Sequence, residues 1–134
     1  MPSEKLPRQI VNQLLRVAQA ASDFEVCGLI AASGGRPSRV YPVANAADQP
    51  RCRFDMDAAE QIGAMRQMRE RGETLWAIYH SHPDAPPTPS PSDLAEHAYP
   101  HALYLIISLD TKGVLQLRGF RRLGDGMQPV ALEI

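Results

Sequence analysis

The sequence has no excess of positive charge and no long hydrophobic run. Lys and Arg number 14 against 15 Asp and Glu, a net charge of −1, so composition predicts no basic surface for nucleic acid. No window approaches the roughly 18 apolar residues that a membrane-spanning helix needs. The first residues also lack the uninterrupted apolar stretch of a secretory signal peptide. We therefore expect a cytoplasmic protein that binds neither nucleic acid nor membrane.

Cysteine is scarce as well. The two cysteines, Cys27 and Cys52, form no Cys-x-x-Cys pair, which argues against a thiolate zinc knuckle or a thioredoxin-like centre. Nothing marks the chain as secreted, so we expect both thiols to be reduced. The chain also lacks the H-x-E and P-C-x-x-C motifs of the zinc-dependent nucleoside deaminases, which argues against that class of hydrolase.

Hydrophobic periodicity predicts two or three helices in a single domain over residues 1–134. An amphipathic pattern predicts the first helix from about Pro7 to Ala21. The second begins at the N-cap candidates Asp55 and Asp57 and ends at Gly72. A short third helix is predicted from about Pro91 to Tyr99. The apolar stripe predicted for the second helix consists of Ala58, Ile62, Met65 and Met68.

Between these helices the sequence predicts five to seven β-strands, in α/β order. The run "TLWAIYH" is almost continuously apolar, as expected for a strand that is buried on both faces. Pro42 cannot donate a hydrogen bond to a neighbouring strand, so "SRVYPVAN" is predicted to lie at a sheet edge or to break there. The other predicted strands are "FEVCGLIAAS", "ALYLIISL", "VLQLRGFRR" and, at the end of the chain, "PVALEI".

The stretch "YHSHPDAPPTPSPSD" contains the most informative pattern. Alternate side chains of an extended strand share a face, so His80 and His82 are predicted to point to the same side. Two imidazoles on one side can bind one cation. A catalytic zinc ion typically takes three protein ligands and leaves its fourth position to water. The candidate for the third ligand is Asp93.

The residues "SPSD" have a second interpretation. Ser90 as N-cap, Pro91 as the first helical residue and Asp93 two positions later resemble a capping box. Helix capping alone accounts for these three residue types. The two interpretations are compatible, because a capped helix start would hold Asp93 in place.

These residues resemble those of a known family. "HSHP" followed by "SPSD" reproduces the H-[ST]-H-x7-S-x2-D signature of the JAMM (MPN+) zinc metalloproteases. Glu25, in "FEVCGLI", resembles the upstream glutamate of the small prokaryotic members. The resemblance covers roughly Leu6 to Arg121. It implies an α/β fold of the cytidine-deaminase-like MPN/JAB type, with a mixed, mostly antiparallel sheet.

The resemblance implies a role for each site residue. His80, His82 and Asp93 resemble the ligands of Zn²⁺. Glu25 resembles the general base, and Ser90 resembles the residue that donates a hydrogen bond to the developing oxyanion. From its own stretch alone, Glu25 would be expected to be exposed at a strand's start, because an unpaired buried carboxylate is costly. Together with the downstream motif, the catalytic interpretation of Glu25 is favoured.

Two further residues have open interpretations. Cys27, two positions after Glu25, is a candidate neighbour of the metal, but a buried core thiol is the simpler interpretation. His97 shares a helical face with Asp93, and a surface histidine is at least as good an account of it.

The resemblance also implies a substrate class. It indicates a peptidase or isopeptidase acting after the C-terminal Gly-Gly of a ubiquitin-like or sulfur-carrier protein, whose tail could add to the edge strand "SRVYPVAN". A homodimer is compatible with the sequence. The alternatives are a catalytically silent MPN scaffold, although all the expected ligands are present, and a DNA-repair-associated JAB-type protein.

Overall fold

The two histidines of the His-Ser-His motif end a central strand of a seven-stranded sheet. The computed structural model describes residues 3–91, 93, 99, 101–110, 115–124 and 126–134. Its elements, in chain order, are β1 (Ser3–Lys5), α1 (Arg8–Ala20), β2 (Cys27–Ser33), β3 (Arg36–Val43), α2 (Ala58–Glu70), β4 (Thr74–His82), β5 (Leu103–Ser108), β6 (Gln116–Leu123) and β7 (Gly126–Glu133).

The sheet is mixed and mostly antiparallel, as expected. Its strand order is β1-β7-β6-β5-β4-β2-β3. Among the strands of the described residues, only β1 with β7 and β4 with β5 are parallel pairs. The parallel β4–β5 pair requires a crossover connection, and the segment that carries the Pro-rich loop and Asp93 supplies it. The residues that follow the His-Ser-His motif therefore lie at the end of the sheet where β4 finishes.

The strand alternation of β4 and β5 divides the core into two layers. Ala77 and Tyr79 of β4 belong to the cluster that packs on α1. Ile78 of β4 belongs to the opposite cluster, which includes Ala64 and Met68 of α2. Because side chains alternate, His80 and His82 continue the face of Ile78 and lie on the α2 side of the sheet.

The helices agree with the sequence prediction in position but not in every contact. Asp57 caps α2, and its carboxylate accepts a hydrogen bond from the Glu60 amide at 3.0 Å. The predicted apolar stripe was wrong at Ile62, whose side chain is 61% exposed. The helix packs against the sheet through Ala64 and Met68. Successive side chains of a helix are rotated by about 100°, so Ile62, two positions before Ala64, is rotated by about 200° and faces away from the sheet.

The sheet edges were predicted in part. Within the part of the chain that the structure describes, β3 pairs only with β2 and forms one edge, and it continues through Pro42 without breaking. β1 forms the other edge and was not predicted. Most of the predicted third helix from Pro91 to Tyr99, like the turn residues 111–114, lies outside the described residues. Within the described part of the chain, no helix is long and apolar enough to cross a bilayer.

Candidate metal centre

β4 brings His80 and His82 together. The strand extends beyond the predicted end at His80 and includes His82, so both imidazoles project from the same face. Both side chains are buried, at 2% and 3% exposure. Ser81, between them, points to the other face, where its hydroxyl accepts a hydrogen bond from the Val26 amide at 2.9 Å. The middle residue of the motif thereby ties β4 to the segment that carries Glu25.

Three donor atoms converge in front of this strand. Nε2 of His80, Nε2 of His82 and Oδ2 of Asp93 lie 3.1 Å from one another along all three sides of a triangle. Burial lowers the pKa of His80, which favours the neutral imidazole. Burial alone would raise the pKa of Asp93, but hydrogen bonds from the two imidazoles and the Ser90 amide hold it well below its ordinary value. A neutral imidazole and an ionised carboxylate are the forms that bind metals.

Asp93 is fixed by the helix start, so the capping interpretation of "SPSD" is confirmed. The Ser90 amide donates to Oδ2 of Asp93 at 2.8 Å, and the Asp93 amide donates to Oγ of Ser90 at 3.1 Å. This reciprocal pair is a capping box. The same Oδ2 atom that closes the box faces the two imidazoles, so capping orients the carboxylate toward the histidines.

The Pro-rich loop orients His82. Nδ1 of His82 lies 2.8 Å from the carbonyl oxygen of Pro86. A carbonyl only accepts, so Nδ1 carries a proton. Burial alone would lower the pKa of His82, but Asp93 and the Pro86 carbonyl raise it, so the metal-free ring can also keep a proton on Nε2 and donate it to Asp93. Loss of that second proton leaves the Nε2 lone pair facing the donor triangle, as metal binding requires. The loop is itself held by Ser108 of β5, whose hydroxyl donates to the Ala85 carbonyl at 2.7 Å.

Glu25 is buried beside this triangle. Its side chain is only 5% exposed, so the expectation of an exposed residue at a strand's start was wrong. Oε1 has no hydrogen-bond partner among the described residues. Burial raises the pKa of Glu25 to about 7. One ligand atom each from Glu25, His80 and His82 lies within 4.8 Å of the others, so the carboxylate borders the site.

The loop between β3 and α2 supplies two contacts that the sequence did not predict. The ring of Phe54 stacks on His80, with centroids 4.4 Å apart and planes inclined by 20°. The side chain of Asn45 donates a hydrogen bond to the Glu25 carbonyl at 2.9 Å. Neither residue belongs to a spaced motif. The only sequence signal was an asparagine at the end of a predicted strand, a position that favours local hydrogen bonding to the backbone.

The donor set fits a zinc ion. Zinc binds imidazole nitrogen and carboxylate oxygen at about 2.0–2.1 Å in a tetrahedron, which places neighbouring ligand atoms about 3.3 Å apart. The 3.1 Å sides of the triangle approach that spacing. Among the residues that the structure describes, Oε1 of Glu25 has no hydrogen-bond partner, and a polar species in front of the triangle would satisfy this buried atom.

Cys27 and His97 were weaker candidates for a place near the metal. The thiol of Cys27 is buried and donates to the Val43 carbonyl at 3.4 Å, and burial raises its pKa to about 12. Cys27 is therefore a core thiol, as the simpler interpretation held. Cys52 is exposed, and both cysteines are free. His97 lies outside the described residues.

Comparison with known proteins identifies the family. A model described as "Prokaryotic homologs of the JAB domain" matches residues 7–121. The CysO-cysteine peptidase of Mycobacterium tuberculosis is 32% identical over 114 residues, which are 84% of this chain and 77% of that protein. A solved structure from Desulfitobacterium hafniense has a TM-score of 0.83 and 32% identity, and the match covers 96% of this chain and 90% of that one.

The desampylase of Haloferax volcanii is 33% identical over 88 residues, 64% of this chain. The match spans 63% of that enzyme, less than two thirds of its length. The fold is that of the JAMM/MPN class, whose solved structures share it, and Glu25, His80 and His82 form a donor set that could hold a metal ion. Within that class, the chain belongs to the prokaryotic JAB family.

Proposed function

We propose that this protein is a zinc-dependent peptidase or isopeptidase that hydrolyses the amide bond after the C-terminal Gly-Gly of a ubiquitin-like or sulfur-carrier protein. The observation that carries the proposal is the triangle of Nε2, Nε2 and Oδ2 atoms with 3.1 Å sides, bordered by a buried carboxylate. The proposal treats residues 1–134 as one domain. It also keeps the cytoplasmic location expected from the sequence, with which two free thiols agree.

His80, His82 and Asp93 would hold the metal. A zinc ion bound there would polarise the scissile carbonyl and lower the pKa of a bound water to about 7. Glu25 would take the proton of the attacking water; its position beside the same space supports this role, since among the described residues its Oε1 has no hydrogen-bond partner. The same carboxyl group would then pass that proton to the leaving amine.

Ser90 would donate a hydrogen bond to the oxyanion as it develops. Its Oγ accepts a hydrogen bond from the Asp93 amide, and a hydroxyl can accept and donate at the same time. The cap fixes Ser90 next to the ligand Asp93. A donor that is held in place before the reaction is worth more than one that must reorient when charge appears on the oxygen.

The substrate class is supported by the names of the relatives and by the sheet edge. The relatives are a CysO-cysteine peptidase, desampylases and a probable TtuB-protein conjugate cleaving protease. β3 is an edge strand, and its last residue, Val43, pairs with Cys27, which pairs in turn with His80. An extended tail that added to this edge would run toward the end of the sheet that holds the metal ligands.

Metal content is the first test. The purified wild-type protein should contain about one zinc per chain. The His82→Ala variant should lose that zinc, because only two of the three donors remain. His101→Ala is the matched control, since His101 is exposed and distant in sequence from the motif, and it should retain the metal. Absence of zinc from the wild-type protein would favour the silent scaffold.

Cleavage is the second test. A carrier protein that ends in Gly-Gly and is extended by a C-terminal residue should be hydrolysed by the zinc-loaded protein. Glu25→Gln should retain zinc and lower kcat by about 10²- to 10⁴-fold, because glutamine cannot accept the proton. The matched control is Glu70→Gln on the exposed surface of α2. Full activity of Glu25→Gln with zinc bound would remove Glu25 from the role of base.

A further inference from the structure

The side chain of Asn45 joins three segments around Glu25. Its Nδ2 donates to the carbonyls of Glu25 and Arg53, each at 2.9 Å. Its Oδ1 accepts from the amides of Ala47 and Asp55, each at 3.0 Å. A primary amide has two N–H donors and one oxygen with two lone pairs, so this side chain uses its full hydrogen-bonding capacity. No other residue type of the same size offers both donors and acceptors in this geometry.

Asn45 closes the neck of the loop between β3 and α2. Its backbone pairs with Met56 in an isolated antiparallel bridge. On either side of that bridge, the Ala46 amide donates to the Asp55 carbonyl at 2.7 Å, and the Asp57 amide donates to the Ala44 carbonyl at 2.9 Å. Residues 46–55 therefore form a loop whose two ends are fixed at Asn45.

This loop reaches the metal centre at two points. The carbonyl of Pro50 accepts a hydrogen bond from the Glu25 amide at 2.7 Å. Phe54 stacks on the ring of His80. The backbone of Glu25 is thus held on both sides, at its amide by Pro50 and at its carbonyl by Asn45.

Glu25 depends on these contacts because it lies outside the paired strands, although Ser81 of β4 holds the next residue, Val26, through two hydrogen bonds. β2 begins at Cys27, so its pairing with β3 and β4 does not include Glu25. Oε1 of its carboxylate has no hydrogen-bond partner among the described residues, so that oxygen contributes nothing to fixing the side chain. The position of the Glu25 carboxylate is therefore set mainly by the position of the Glu25 backbone.

We infer that Asn45 is a positioning residue for Glu25: it locks the 46–55 loop onto the Glu25 backbone and thereby aims the carboxylate at the donor triangle. The inference rests on the role of Glu25 in the proposed function and extends it to a residue outside the JAMM signature. The residues of the signature are oriented by β4, by the Pro86 carbonyl and by the Ser90 cap. In this inference the side-chain amide of Asn45 orients Glu25 in the same way.

Asn45→Asp is the sharpest variant. It keeps the size of the side chain and the oxygen that accepts from Ala47 and Asp55, but it replaces the donor by a second oxygen that faces two carbonyls. In the zinc-loaded protein we expect kcat to fall about 10- to 100-fold, since a displacement of about 1 Å can have that effect. We expect KM to stay within about twofold and zinc to stay near one per chain, because the metal ligands are untouched.

Amide hydrogen exchange gives a second readout that does not use activity. In Asn45→Asp the Glu25 amide should exchange at least about tenfold faster, while the amides of Ala47 and Asp55 remain protected by the retained oxygen. In Asn45→Ala all three amides should lose protection. The matched control, Asn12→Asp, makes the same chemical change on the exposed face of α1 and should alter neither kcat nor exchange.

The outcomes separate the two proposals. A fall in kcat with unchanged KM and zinc, together with faster exchange at Glu25, supports the inference. Wild-type kcat in both Asn45 variants would overturn it. Loss of zinc, faster exchange throughout the protein or failure of both variants to fold would assign Asn45 to stability alone and also overturn it. If the wild-type protein cleaves no Gly-Gly conjugate, the proposed function fails, and exchange at Glu25 alone decides whether Asn45 holds the loop.

Discussion

Each residue of the candidate metal centre is oriented by a contact that lies outside the centre. The Pro86 carbonyl selects the tautomer of His82, the Ser90 cap aims Asp93, and Phe54 covers one face of His80. The spacing of the motif predicted which residues would meet, because strand alternation and helix capping are local rules. It could not predict the Pro86 or Phe54 contacts, since these depend on how two irregular loops close over the sheet.

Gly28 shows the same limit at a single position. It follows Cys27 in β2, and a Cβ atom there would lie 2.5 Å from the Tyr41 carbonyl oxygen and 2.5 Å from the Tyr79 hydroxyl. The backbone oxygen cannot move without shifting β3, which pairs with β2 at this point. Gly28 lies in the stretch "FEVCGLI", but the sequence does not show why a glycine is needed there. The reason is visible only when β2 is paired with β3 and β4.

We predict that Gly28→Ala destabilises the fold. The added methyl should lower the free energy of unfolding by about 1–3 kcal/mol, because it forces backbone and side-chain shifts in a packed sheet. Gly63→Ala is the matched control: nothing lies within 4 Å of a Cβ there, and the position is inside α2. It should stabilise the protein by about 0.5–1 kcal/mol through helix propensity. Urea unfolding of both variants measures the difference, and equal effects would contradict this account.

At the scale of elements, continuous apolar composition predicted the central strands better than periodicity predicted the buried face of α2. β4 and β5 are apolar on both faces and were recognised from composition. α2 has few apolar residues, so the choice of its buried face was decided by contact with the sheet, which favoured Ala64 and Met68 over Ile62. β1 was missed because three polar and charged residues carry no strand pattern of their own.

Glu73 links the end of α2 to β3. Its carboxylate accepts hydrogen bonds from the Tyr41 hydroxyl at 2.6 Å and from Nε of Arg39 at 3.1 Å. Arg71 donates in turn to the Tyr41 hydroxyl at 2.8 Å. Burial alone would raise the pKa of Glu73, but these hydrogen bonds outweigh burial and lower it below its ordinary value of 4.5. The ionised form therefore stabilises the junction of helix and edge strand.

The lowered pKa predicts the sign of a pH effect. A carboxyl group whose pKa is lower in the folded state contributes stability above its unfolded pKa, here 4.5, and loses it as the pH falls through the folded pKa. Glu73→Gln should therefore lower the free energy of unfolding by about 1 kcal/mol at pH 7, and by less near pH 3. Urea unfolding at both pH values, with Glu70→Gln as the exposed control, measures this. A loss that is the same at both pH values would contradict the prediction.

At the scale of the whole molecule, the two ends of the described chain meet. β1 pairs with β7 in parallel, with Ser3 opposite Ala131, and the Leu6 amide donates to the Glu133 carbonyl at 2.7 Å. Leu6 and Val130 are buried in the same cluster as α1. The sequence predicted a sheet of five to seven strands but not this closure, because a pairing across nearly the full chain length leaves no local signal.

The same whole-molecule view predicts how metal removal affects stability. The sheet, the Ser90 cap and the Pro86 carbonyl hold the donor atoms through contacts that do not involve a metal. We therefore expect the metal-free protein to stay folded. Zinc at about 100 times its dissociation constant should raise the free energy of unfolding by about 2.7 kcal/mol, because it binds the folded state alone.

Denaturant unfolding with chelator and with added zinc measures this increment. His82→Ala should abolish it, and His101→Ala should leave it unchanged, because His101 is exposed and is not one of the three donors. An unfolded metal-free protein would mean that the metal organises the site rather than entering one that the fold has already built. An increment that persisted in His82→Ala would place the metal elsewhere. Only a preformed triangle predicts a folded apo protein together with a zinc increment that depends on His82.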